Sequence, residues 1–124
     1  MRGLRLFVRP IEAADFSDLE AFLDHQGLAH VPACGLLGKL LGDIVAVVSL
    51  GVADDALRVD DIVVKTDLRR KWIGRVMLRE VEQLAVKMDR RRVVVENARD
   101  AQEFFRRTGF EREGEGERWI RVVS

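Results

Sequence analysis

The chain has 124 residues, 48% of them hydrophobic and 34% charged, a size and balance that suit one globular domain and exclude a disordered chain or a second core. Its 21 Lys and Arg residues balance 21 Asp and Glu, so no field over the whole domain favours nucleic acid. No apolar run reaches the ~20 residues of a membrane span, and the opening Met1-Arg-Gly-Leu-Arg-Leu-Phe-Val-Arg9 lacks a signal peptide's apolar stretch, so a cytoplasmic chain is expected.

Leu4 to Arg9 alternates as a short strand and Pro10 ends it. A helix then places Phe16, Leu19, Phe22 and Leu23 on one face, with Gly27 as its stop. The segment Leu28 to Pro32 is too short for much of a second helix. Cys34 is the only cysteine; it has no partner for an intramolecular disulfide and reads as a small core residue. Leu36 to Leu40 and Ile44 to Val52 read as strands joined by a turn at Leu41-Gly42-Asp43, and Ala53 to Ala56 is the next turn.

Leu57 to Lys65 is an almost continuous apolar run, the pattern of a central strand covered on both faces. A basic turn follows, Arg69-Arg-Lys-Trp-Ile-Gly74. It leads into a helix whose stripe is Ile73, Met77, Val81, Leu84 and Met88. Arg92 to Glu96 is a β-branched strand that should lie beside the central one. A short helix carries Ala101, Phe104 and Phe105 and stops at Gly109, where a positive φ is convenient. Phe110 to Arg112 and Arg118 to Val123 close the chain as a hairpin. The order β-α-β-β-β-α-β-α-β-β defines an α/β (α+β) fold with a sheet of mixed direction.

Two segments carry the chemistry. Val59-Asp-Asp-Ile-Val-Val64, followed by the basic turn and Gly74-Arg-Val-Met-Leu78, is a strand, a turn and a helix start, the layout that offers backbone N–H groups to a phosphate. Some thirty residues on stands Arg99-Asp-Ala-Gln-Glu-Phe-Phe-Arg-Arg-Thr-Gly-Phe110. Together they resemble the coenzyme A half of the GNAT-type N-acetyltransferases, over about Val59 to Phe110. The resemblance implies a GNAT-like, mostly antiparallel sheet of six or seven strands flanked by helices, with the second helix shortened or absent. It also implies acetyl-CoA as co-substrate and a small-molecule or peptide amine as acceptor.

Residue by residue, the resemblance assigns the coenzyme to Ile62, Val63 and Val64 on the strand, Arg69, Arg70, Lys71, Trp72, Ile73, Gly74 and Arg75 at the turn, and Phe105 on the last helix. A backbone N–H near Val63 and Val64 would polarise the thioester carbonyl. Two positions depart from the family. Trp72 stands at the first loop glycine, where it is either strained at positive φ, or blocks a close approach, or stays helical with its indole turned away or laid on the coenzyme. Phe105 stands where the family's usual tyrosine acid does, and packs against either the pantetheine or the core. The chain contains no tyrosine. The leaving thiol, with a pKa near ~8.5, can take its proton from solvent.

Asp60 and Asp61 are the candidate bases. Adjacent on a strand, they should point to opposite faces. Their wording, Val-Asp-Asp-Ile-Val-Val, is similar to aminosugar-phosphate acetyltransferases. Glu96 and Asn97 are second candidates near the same cleft. His25 and His30 lack metal-ligand spacing with any acidic or cysteine cluster, so no metal is expected. Three functions are compatible: direct acetyl transfer to a primary amine, a coenzyme-binding or regulatory module of the same fold without turnover, and, more weakly, nucleic-acid binding through the arginines. The short Gln26–Ala33 segment suits either an open groove for a peptide amine or a pocket completed by a second subunit of a homodimer.

Overall fold

Seven strands and three α-helices follow one another in the anticipated order among residues 5–28, 31–32, 34–68, 72–96, 98 and 101–123, which the computed structural model describes. The elements are β1 (Phe7–Pro10), α1 (Phe16–His25), β2 (Gly35–Leu40), β3 (Asp43–Ala53), β4 (Ala56–Val64), α2 (Ile73–Lys87), β5 (Arg92–Val95), α3 (Gln102–Arg107), β6 (Glu111–Arg112) and β7 (Trp119–Val122). Among the described residues no helix separates α1 from β2, the second of the two alternatives, shortened or absent, for that helix. All the strands form one sheet in the order β1-β2-β3-β4-β5-β7-β6. Only β4 and β5 are parallel; every other neighbouring pair is antiparallel.

The turns show why these elements stop where they do. After α1, Gly27 takes φ 78°, and the Leu28 and Gly27 N–H groups donate back to the Leu23 and Asp24 carbonyls. That closes the helix with a left-handed residue past its last turn, as the sequence anticipates. Helix α3 ends the same way at Gly109, φ 97°, where Phe110 and Gly109 donate to Phe105 and Arg106. Helix α2 repeats the device without a glycine: Asp89 takes φ 62° while Arg90 and Asp89 donate to Ala85 and Val86.

The sheet divides the interior in two. On one face α2 and α3 cover Val48, Leu57, Val59, Val93 and Trp119 with Ile73, Met77, Val81 and Phe105. On the other, Leu19, Phe22 and Leu23 of α1 pack on Val47 and Val63. The α2 stripe is buried as far as Ala85, whereas Met88 at its end is exposed. Phe16, assigned to the buried face of α1, is also exposed, because the helix only begins there. Cys34 is exposed rather than in the core; it sits one residue before β2, where its carbonyl accepts from Leu50 N–H but its side chain has passed beyond the packed face.

A partly buried ion pair fixes the first turn after β1. Arg9 donates through both terminal nitrogens to Asp15, at 2.7 and 2.6 Å, and Glu12 N–H donates to the same carboxylate at 2.8 Å. The arginine hydrogen bond, followed by the backbone one, holds the Asp15 carboxyl well below the usual carboxylate range. Asp15 is the one charged residue among the described residues that is buried, at 6% exposure, and three converging donors are the physical condition for that. Among the described residues no helix is long and apolar enough to cross a membrane.

Candidate functional site

The centre of the site is a fault in β4. Leu50 pairs with Val59 and Ser49 with Asp61, so β4 carries one residue more than β3 at this point, a β-bulge at Asp60. The consequence is a change of parity. Before the bulge, Leu57 and Val59 face the α2 side; after it, Ile62 and Val64 do, and Val63 faces α1. Asp60 therefore shares the α1 side with Arg58, and Asp61 shares it with Val63.

This corrects the expectation that two adjacent strand acids point to opposite faces, which holds only for an unbroken strand. Their roles separate by partner instead. Asp60 is tied to Arg58 two residues back through both carboxylate oxygens, and the same bond raises the Arg58 pKa. Asp61 accepts a hydrogen bond from the Ile62 N–H at 2.9 Å, its only one among the described residues, and lines a pocket with Ser49, its cross-strand neighbour. Asp61 is the acid left available.

Strand β4 also parts from its parallel neighbour here. Pairing with β5 ends at Val59–Val95, whereas β4 continues to Val64. Lys65 N–H donates to Val45 on β3, so alternation turns the N–H groups of Val63 and Asp61 toward β3 and those of Ile62 and Val64 toward the gap. The sequence reading placed a donor near Val63 and Val64; the ladder turns the Val63 N–H toward β3, and the Ile62 N–H on the other side is held by the Asp61 carboxylate.

The basic turn is described only at its end. Arg69, Arg70 and Lys71 lie outside the described residues, as do His30 and Asn97. Trp72 is helical, with φ −73° and ψ −10°, and 43% exposed. Of the three alternatives for this residue, strain at positive φ is removed. Ile73 is buried in the core, so only its backbone is available to a ligand. Gly74 has a packing reason: a Cβ there would stand 3.1 Å from Phe104 Cζ, closer than carbon atoms pack without a shift. Arg75 points to solvent and Glu96 is exposed at the end of β5.

Phe105 does not line the gap. It is 2% exposed, edge-on to Phe104 at 5.3 Å and to Phe110 at 5.4 Å. Of the two alternatives for this ring, pantetheine or core, aromatic packing inside the core claims it. The sequence reading also missed the pocket on the α1 side, about 230 Å³ in volume and lined by Leu23, Leu28, Pro32, Val47, Ser49, Asp61 and Val63. Period-two alternation of Val47, Ser49, Asp61 and Val63 would have found it only if the bulge had been known. Among the described residues no three His, Cys, Asp or Glu side chains are grouped to hold a metal.

A central strand that leaves its parallel partner and is followed by a turn and a helix start is the layout that the sequence resemblance implies for an acyl-coenzyme A transferase. The chain belongs to the GNAT family: a family model described as an acetyltransferase (GNAT) domain matches residues 33–112. As a member of that family it is an acyl-CoA-dependent N-acetyltransferase domain. Curated proteins provide no significant match. Among solved structures, the fold is similar to the ribosomal-protein-S18-alanine N-acetyltransferase of Escherichia coli, at TM-score 0.78 and 13% identity over 97% of this chain and 95% of that one. A GNAT-family acetyltransferase from Streptococcus pneumoniae reaches 0.77 and 17% over 97% and 100%. N-acetylglutamate synthase from Neisseria gonorrhoeae, complexed with coenzyme A and N-acetyl-glutamate, reaches 0.78 and 14% over 97% of this chain and 35% of that one.

Proposed function

We propose that this domain transfers the acetyl group of acetyl-CoA directly to a primary amine at the gap between β4 and β5. The observation that carries the reading is the end of β4–β5 pairing at Val59 beside the bulge at Asp60. A coenzyme arm can add to the β4 edge there as an extra strand would. The edge at Ile62 to Val64 receives the thioester, Trp72, Ile73, Gly74 and Arg75 with Arg69, Arg70 and Lys71 receive the phosphates through backbone and charge, and the acceptor comes from the α1 side.

Asp61 orients the acceptor ammonium and takes its proton, directly or through water. The amine nitrogen then attacks the thioester carbon, the carbon–sulfur bond breaks, the nitrogen releases its second proton to solvent, and the departing thiolate is protonated from solvent, since Phe105 has no proton to give. Backbone donors at the carbonyl need no particular side chain. A cytoplasmic location and a homodimer belong to the same reading as proposals; the single cysteine suits the first.

Acetyl-CoA at a hundred times its dissociation constant should stabilise the fold by ~2.7 kcal/mol, and thiol release should depend on added amine. Absence of a thermal shift at millimolar acetyl-CoA would falsify the coenzyme assignment. A second reading, a coenzyme-binding module without turnover, is favoured by the buried phenylalanine at position 105. A thermal shift without thiol release across an amine panel would select it.

A further inference from the structure

The pocket under α1 has a composition that restricts what enters it. Five of its lining residues are apolar, Leu23, Leu28, Pro32, Val47 and Val63, and two are polar, Ser49 and Asp61. No basic residue lines it among the described residues. Its single carboxylate stands at the rim where the bulge has turned it, on the same sheet face as Asp60, whose charge is already matched by Arg58. Its floor is Val63, in the strand segment whose edge faces the gap. An apolar cavity of ~150 Å³ holds a benzene molecule, so about 230 Å³ takes a group of leucine or phenylalanine side-chain size.

Resting on the acyl-transfer reading above, we infer that the acceptor is a cationic amine carrying one compact apolar group and no acidic group. The ammonium pairs with Asp61 and the apolar group fills the space between α1 and β3–β4. The amine is then one residue from Ile62, beside the open strand edge. A phosphate or carboxylate on the acceptor would meet Asp61 with no cation among the described lining residues to balance it, which separates this site from aminosugar-phosphate chemistry despite the similar strand wording. The same chemistry exists in a free alkylamine and at a peptide N-terminus whose first residue is apolar.

The test is a titration of isotope-labelled protein with 3-methylbutylamine, with a short peptide beginning with leucine, and with glucosamine 6-phosphate, following the Ser49 and Val63 amide signals. One or both amines should shift those signals, and the pair of arms tells a free amine from a chain terminus. The sugar phosphate should leave them in place. Asp61→Asn keeps an oxygen to accept the Ile62 N–H, so the strand persists, yet it removes the charge; amine affinity should fall about tenfold, the size of a lost charge-assisted hydrogen bond. No shift with either amine, equal binding of the sugar phosphate, or unchanged affinity in Asp61→Asn overturns the inference. None of these readouts involves acetyl-CoA. Amine binding without acetyl transfer overturns only the transfer reading, and transfer to an acidic acceptor without amine binding overturns only this one.

Discussion

Gln26 and Thr66, forty residues apart, are joined twice: the Gln26 side-chain oxygen accepts from the Thr66 N–H at 3.1 Å and from the Thr66 hydroxyl at 2.8 Å. Gln26 is the C-cap of α1, and Thr66 opens the turn that leads to Arg69. Helix α1, on the proposed acceptor side, is thereby fastened to the segment that leads into the proposed phosphate turn. Gln26→Ala should cost about 1 kcal/mol, because the two donors are exposed and water replaces the lost partner. It should also weaken acetyl-CoA binding severalfold by freeing the start of the turn. Calorimetric titration with acetyl-CoA reads this directly; unchanged affinity would mean that the link is only structural.

Restoring the family's phenol should not restore an acid. In Phe105→Tyr the hydroxyl would enter a core packed by Phe104 and Phe110, where a polar group without a partner costs about 1–3 kcal/mol. Denaturant unfolding should show that loss, with no rise in acetyl transfer. A stable variant with faster turnover would place the ring in the cleft and refute its assignment to the core.

Asp89 holds a left-handed backbone that glycine adopts without strain. Asp89→Gly should therefore stabilise the domain by about 0.5–1 kcal/mol, the penalty of a side chain there less the extra freedom of an unfolded glycine. A raised denaturation midpoint with an unchanged slope is the expected result.

Acid should act through Asp15. Its folded carboxyl titrates below the unfolded one, so the unfolded chain binds more protons on acidification. The stabilisation is complete above about pH 4, the unfolded value, and is lost as pH falls through the folded value. Asp55, lowered by its hydrogen bond to Arg92, adds in the same direction. Stability should be flat in these groups from pH 7 to about 5 and should fall below about 4. Asp15→Asn should lower stability at neutral pH and make the acid limb shallower; an unaltered limb would show that Asp15 is not the group responsible.

The element order and helix ends were legible because they rest on local rules. Gly27 and Gly109 sit where the chain must turn left-handed, and the α2 stripe follows the helical repeat. The β-branched runs mark β3, β4 and β5. The family was legible for the same reason, since its two segments are contiguous stretches read by spacing. Cys34 was misplaced and Phe105 left between two alternatives because burial is a property of neighbours: one falls just outside the packed face, and the other is claimed by two aromatic rings.

The sequence by itself determined the strands, the helices and the coenzyme-binding family, all of which follow from hydrophobic period, turn chemistry and contiguous motif. Which acid is available was decided only in three dimensions. One extra residue in β4 reverses the alternation that any linear reading assumes, brings Asp60 and Asp61 to one face, and gives Arg58 to the first. The second remains at the mouth of a pocket built from α1 and two strands. A register shift leaves no mark in composition or spacing, because it exists only between paired strands.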